Sequence, residues 1–450
     1  MSKRLPVLVA ALSCAVLTAG ILSRDTGGRS EPEGKVPSVK AVNYAEHIAP
    51  ILNKHCVECH RPGEVAPFSL VGYENAKKRS AIVAVITETK RMPPWKAVHG
   101  FGEFEDENRL TPEQIQTLAN WEKAGAPRGD KAKEPAPPKF SSEWPHGEPD
   151  MIASASKPFQ LGAEGEDLYR NFVVKTDFKE TKWVSAIAVR PSNPKVVHHV
   201  IAFIDEKGQA VKREAVTKDG QEGYSSQGGG VGFAPDGSFG GWAPGVRSKM
   251  STGDVAFELK PGAAIVMQVH YHKSGKPETD QTKLGLYFAK KAPAKVLKLA
   301  WLANPLIRLK PGEKNQKVQL RVPIPVDVTV YGVMPHMHML GRSMKAVVEM
   351  PDGSTKPLIY VDDWDFNWQL TYAFKQPVKV PKGSKIFIEG FYDNSSDNPN
   401  NPNDPPKMVT WGEQTADEMF LFVAAYTVDN ANEEFNDRAA LIKALFGGGN

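Results

Sequence analysis

The chain has 450 residues, enough for about three domains on the usual scale. An apolar fraction of 41% and a charged fraction of 24% are those of an ordinary globular protein. The net charge of +4 carries no argument for a nucleic-acid partner, and none is expected. With 38 glycines and 36 prolines, short elements joined by turns are favoured over a helical bundle. Residues 1–24 read as an export signal: Lys3 and Arg4 precede an apolar run from Leu5 to Leu22, with small residues around Thr18 to Gly20. The expected location is periplasmic or otherwise exported. If the segment is retained it would be a membrane anchor, at the short edge of a spanning helix. Cys14 sits in a poor lipid-attachment context.

The other two cysteines, Cys56 and Cys59, lie in "HCVECH". His60 completes C-x-x-C-H, the attachment signature of c-type haem: two thiols add to the two vinyl groups and the next histidine lies under the iron. "YAEHIAPILNKH" predicts a short helix into the motif. "ENAKKRSAIVAVITETK" predicts a second, with Ala81, Ile82, Val85 and Ile86 inward. Met92 in "RMPPW" is held by two prolines and suits a sixth iron ligand. Thr111, Pro112, Gln114 and Gly125 mark the start and stop of a last helix. Residues 40–128 resemble a class I cytochrome c domain, which implies one covalent haem c.

Residues 129–142 are charged and Pro-rich and read as a semi-rigid linker. Beyond them, β-type runs recur at Trp183, Val196, Ala263, Leu284, Val326, Met344, Lys385 and Met419, with "KPG", "PDG" and "PKG" turns between. No helix is expected there. The fold class is therefore multidomain: a small α-helical domain followed by two all-β sandwiches of jelly-roll-like type, at 143–295 and 296–432. The Gly-rich stretch Gly223 to Gly245 reads as a long functional loop.

Six histidines of this region form three pairs: His198 and His199, His270 and His272, His336 and His338. Residues at i and i+2 of a strand share a face, so the last two pairs can each serve one metal. Adjacent His198 and His199 can do so only where a strand bulges or ends. Imidazoles with thioethers nearby, no thiolate and no facial triad favour copper.

The pieces "HHV" at His198, "GWAPG" at Gly241, "MQVHY" at Met267, "HMHMLGR" at His336 and "DEM" at Asp417 resemble, in order and spacing, the copper type II, ascorbate-dependent monooxygenases. These are the peptidylglycine α-hydroxylating and dopamine β-monooxygenase-like proteins. The resemblance implies two β-sandwiches facing across an open cleft and two copper ions. His198, His199 and His270 would hold the electron-supplying copper, with His272 in reserve for His270. His336, His338 and Met419 would hold the copper that meets O₂, with Met408 as the competing thioether. Met334, Met337, Met339 and Met344 are expected as packing. Animal members are rich in disulfides, whereas these domains contain no cysteine, and the family's substrate-gripping residues are not recognisable. The expected activity is hydroxylation of a C–H bond of a small organic substrate with O₂. Electrons would enter through haem c from a periplasmic donor protein, or from ascorbate. The alternative is a non-catalytic electron carrier or binding module.

Overall fold

The computed structural model describes residues 41–140, 144–226, 230–251 and 254–446. The export signal expected at 1–24 lies outside them. No helix among the described residues is long and apolar enough to cross a membrane.

The first unit is helical. A π-helical turn, Tyr44–Ile48, is capped by the Asn43 side chain and runs into α1 (Ala49–His55). Next come α2 (Tyr73–Lys78) and α3 (Ser80–Glu88). In α4 (Pro112–Lys123) the Thr111–Gln114 capping box forms in full, with Pro112 at the first position. Ile48, Leu52, Val57, Leu70, Leu118 and Trp121 make the core. One expectation is corrected here. The inward face of α3 is Val83, Ala84 and Thr87, while Ile82 and Val85 stand 49% and 60% exposed. The apolar pattern of α3 runs nearly all round, and Val83 is the residue that joins Leu118 and Trp121 in the core.

This unit is not self-contained. Its segment 95–107 crosses to the last sandwich, where Ala97 and Phe104 bridge to Val361 and Phe374 and are buried in that core. Chain 129–140 turns through a short 3₁₀ helix and folds back, with ion pairs Lys133–Glu46 and Arg128–Glu134.

The second unit carries β1 (Met151–Ser154), β2 (Phe159–Leu161), β3 (Leu168–Lys175), β4 (Lys182–Arg190) and β5 (Val197–Asp205). The helix α5 (Gln209–Val216) follows, then β6 (Tyr224–Ser226), β7 (Gly237–Trp242), β8 (Val255–Leu259) and β9 (Ala264–Tyr271). It closes with β10 (Glu278–Asp280), β11 (Lys283–Phe288) and β12 (Lys295–Val296). Two five-stranded sheets, β6-β3-β9-β5-β7 and β1-β11-β4-β8-β12, share a core of Val184, Val200, Met267, Val269, Leu284 and their neighbours. The Gly-rich stretch is thus not one loop: it supplies the edge strands β6 and β7. Gly241 lets β7 approach β5, since a Cβ there would collide with the Val200 carbonyl.

The third unit begins with β13 (Lys298–Ala303), β14 (Arg308–Leu309), β15 (Gln316–Pro323), β16 (Val328–His336) and β17 (Gly341–Glu349). It continues through β18 (Thr355–Val361), β19 (Tyr372–Val380), β20 (Lys385–Tyr392), β21 (Val409–Thr410) and β22 (Leu421–Val428) to α6 (Asp437–Phe446). Sheets β13-β22-β16-β19 and β15-β20-β17-β18 enclose Val330, Met337, Met344, Ile388, Phe420 and Phe422. The molecule is mostly β-sheet, but two helices, α5 and α6, form where none is expected. Leu441, Ala444 and Leu445 of α6 pack on the third core, so that unit runs past residue 432.

Candidate metal centres

The first cluster sits where β5 and β9 pair. The register of β5 against β9 shifts between Val197 and His199, so His198 is the bulged residue. The bulge turns both adjacent histidines toward His270 on β9. The three Nδ1 atoms form a triangle with edges of 3.2, 3.3 and 3.4 Å. A point equidistant from them lies about 1.9 Å from each, close to the ~2.0 Å of a metal–imidazole bond. The donor set therefore fits a three-coordinate metal.

His270 is oriented from two sides. Its Nε2–H donates to Asp167 Oδ2 at 3.0 Å, and its ring stacks on Tyr169 at 4.2 Å. Asp167 also takes His272 Nδ1 at 3.0 Å and the Thr415 hydroxyl at 2.7 Å. His272 therefore reaches the cluster through Asp167, with its own side chain 67% exposed. Burial raises the Asp167 pKa, but hydrogen bonds from His270 and Thr415 outweigh it and hold the carboxyl well below its usual range. Burial pushes His198 down to about 4 and His199 well below its ordinary value, so both are neutral at pH 7, the state that binds metal.

The second cluster sits at the end of β16. His336 and His338 are buried, with ring centroids 5.2 Å apart and planes at 89°. His338 Nδ1 donates to the Asp417 carbonyl at 3.2 Å. Burial lowers His336 and His338 to about 3 and about 4 respectively. β16 pairs with β22 as far as His336↔Leu421, and Met419 lies two residues before Leu421. The fully buried Glu418 binds this corner together. It accepts the backbone N–H of His338, of Leu340 at 2.9 Å and of Met419 at 2.8 Å. Burial pushes Glu418 up to about 8 against the pull of these bonds. Met408 is 44% exposed beside β21, whereas Met337 and Met344 are fully buried packing.

The two clusters do not face each other across open space, as the resemblance implies. Thr415, in the loop before Met419, bonds Asp167 of the first cluster, and the Tyr169 hydroxyl donates to the Glu413 carbonyl at 2.6 Å. The Phe366 ring lies against both His198 and His338, at 5.1 and 5.5 Å. Asp167, Thr415, Glu418, Gln369 and Phe366 escaped the sequence reading. Only Glu418, inside "DEM", stood in a motif.

In the first unit Cys56 and Cys59 are free thiols, pushed up by burial to about 12 and about 11. His60 Nδ1 donates to the Phe68 carbonyl at 3.1 Å, leaving Nε2 for a ligand role. His55 Nδ1 bonds Asn108, while its buried Nε2 has no partner among the described residues. Ile82 and Val85 of α3 are exposed apolar side chains of the same unit. Met92 is half-buried after α3, its N–H on the Ile86 carbonyl. Glu58, within the C-x-x-C-H loop, pairs with Arg247, and Glu64 with Arg190, tying this loop to the second unit.

Residues 312–436 match the family model of the copper type II ascorbate-dependent monooxygenase C-terminal domain. A human protein, DBH-like monooxygenase protein 2, is 25% identical over 182 residues, which cover 37% of this chain and 34% of that protein. The match thus spans about a third of that relative's length. Among solved structures, the major capsid protein P2 of bacteriophage PM2 aligns at a TM-score of 0.24 and 9% identity, over 63% of this chain and 99% of that one. PNGase F, a glycosylasparaginase from Flavobacterium meningosepticum, aligns at 0.30 and 7%, over 63% and 96%. Scores this low carry no argument. The sequence matches do: residues 312–436 of the third unit, which include His336, His338 and Met419, are similar to the C-terminal domain of the copper type II ascorbate-dependent monooxygenases.

Proposed function

We propose that this chain is an exported, copper-dependent monooxygenase with a haem-bearing electron-transfer unit at its N-terminal end. The reaction would convert R–H, O₂, two electrons and two protons to R–OH and water, on a small organic substrate. His198, His199 and His270 would hold one copper, and His336, His338 and Met419 the other. Copper held there would supply one-electron reduction and dioxygen activation. Asp167 keeps the proton of His270 on Nε2, and the Asp417 carbonyl keeps that of His338 on Nδ1, so each ring offers its bare nitrogen. Buried neutral imidazoles need lose no proton to bind. Cys56 and Cys59 would anchor one haem c with His60 and Met92 as axial ligands, and haem would supply one-electron redox chemistry. Ascorbate, or a periplasmic electron-donor protein, would be the reductant.

The observation that carries this reading is the Nδ1 triangle lying one aromatic ring from a second histidine pair. Copper analysis combined with O₂ uptake under a reductant tests it. Two coppers per chain are expected, and His336→Ala should remove one of them and end O₂ uptake. Loss of both coppers together, or no O₂ uptake by the copper-loaded wild type, would overturn it.

A further inference from the structure

One loop, residues 362–370 between β18 and β19, touches both clusters. The Phe366 ring stacks on His198 at 5.1 Å and 26°, and meets His338 edge-on at 5.5 Å and 68°. Trp364 Nε1 donates to the His338 carbonyl at 3.0 Å, and Gln369 Nε2 donates to the Phe366 carbonyl at 3.0 Å. The loop is itself anchored: Trp364 N–H donates to the Arg342 carbonyl at 2.9 Å, and Asp363 pairs with Lys96 at 2.7 Å.

A metal-ligating imidazole is normally held by a partner on its other nitrogen. His270 has Asp167, and His338 has the Asp417 carbonyl. His198 has no hydrogen bond on Nε2 among the described residues; what its ring has is the face of Phe366. That ring also contacts His338, and a phenyl group offers no lone pair to bridge two metals.

We propose that Phe366 is a positioning residue shared by both clusters: it fixes the plane of His198, and it keeps metals held by the two clusters unbridged. The proposal rests on the two-copper reading. The consequence is through orientation: loss of an outer-shell support of a ligating imidazole lowers metal affinity roughly 10- to 100-fold.

The test uses full-length, copper-loaded protein, with chelator competition for affinity, and continuous-wave and pulsed dipolar EPR for the oxidised coppers. Wild type should show two equivalents with two independent Cu(II) signals. Phe366→Ala should bind the first-cluster copper about 10-fold more weakly. Its two Cu(II) ions should also couple more strongly, as larger dipolar splitting or lost signal. Phe366→Tyr, which keeps the ring, should restore both properties. If the alanine variant does not fold, Phe366→Leu, which keeps apolar volume but no aromatic face, should show the same weakening. A wild type with fewer than two coppers defeats the two-copper reading. Two coppers in wild type, with unchanged affinity and spectra on removal of the ring, defeat the role of Phe366 alone. Equal damage in the alanine and tyrosine variants also defeats it.

Discussion

Asp167 decides whether the first cluster binds metal through Nδ1. Its carboxylate only accepts hydrogen bonds, so His270 must carry its proton on Nε2 and leave Nδ1 bare toward His198 and His199. Asp167→Asn changes one atom. An amide NH₂ turned to His270 would donate to Nε2 and move the proton to Nδ1, pointing it into a triangle only 3.2 to 3.4 Å on a side. The side chain is 10% exposed, so water cannot readily replace the lost acceptor. Partners of this kind are worth roughly 10- to 100-fold in metal affinity, or about 1.4–2.7 kcal/mol. A chelator-competition titration followed by Cu(II) EPR reads this for each cluster. The second cluster should change less, because Asp167 reaches it through the Thr415 hydroxyl and its charge on His338 rather than by a bond to a ligand, and Thr415→Val isolates the first contribution. First-cluster copper held as tightly in Asp167→Asn as in wild type would refute the tautomer argument. So would loss confined to the second cluster.

Three other outcomes follow from the geometry. In the Cys56→Ala, Cys59→Ala double variant, pigment should no longer stay with the chain after denaturation; covalent haem surviving that change would remove the attachment role of both thiols. In copper-free protein, His198, His336 and His338 have folded pKa values of about 4, 3 and 4 against 6.5 when unfolded, so the folded state binds fewer protons. Their contribution is present above pH 6.5 and is lost as pH falls, by up to roughly 1.4 kcal/mol per pH unit per histidine. Urea midpoints at pH 7.5 and 5 check this, and a flat profile contradicts it. Above about pH 8, where Glu418 is ionised, Glu418→Gln replaces a carboxylate whose two oxygens both accept backbone N–H bonds by a group with a single acceptor. It should cost roughly 1–3 kcal/mol in denaturation and weaken copper binding at the second cluster. Unchanged values for both would show that the carboxylate does not hold the corner.

The candidate ligands were legible because ligand chemistry is local in sequence. His336 and His338 stand two apart, C-x-x-C-H needs five residues, and the rule that His198 and His199 require a bulge was met at their own register shift. Strands with apolar runs, such as β9, buried along its whole length, were readable for the same reason. What governs the ligands is not local. Asp167 is 103 residues from His270 and Thr415 is 248 residues from Asp167. Phe366 stands in "WDFNW", which reads as an ordinary turn. Edge strands β6 and β7 hid in glycines because their pairing depends on close backbone approach, which leaves no apolar alternation. The α3 face was misread because a helix apolar on several sides does not say which side a neighbour will cover. The separation of the two clusters belongs to the same class. It follows from contacts between two sandwiches, Phe366 on His198, Thr415 on Asp167 and Tyr169 on Glu413, and none of these leaves a periodic trace. A shared motif can therefore carry over which side chains are candidate ligands, while the separation of the two clusters must be read from the contacts of each chain.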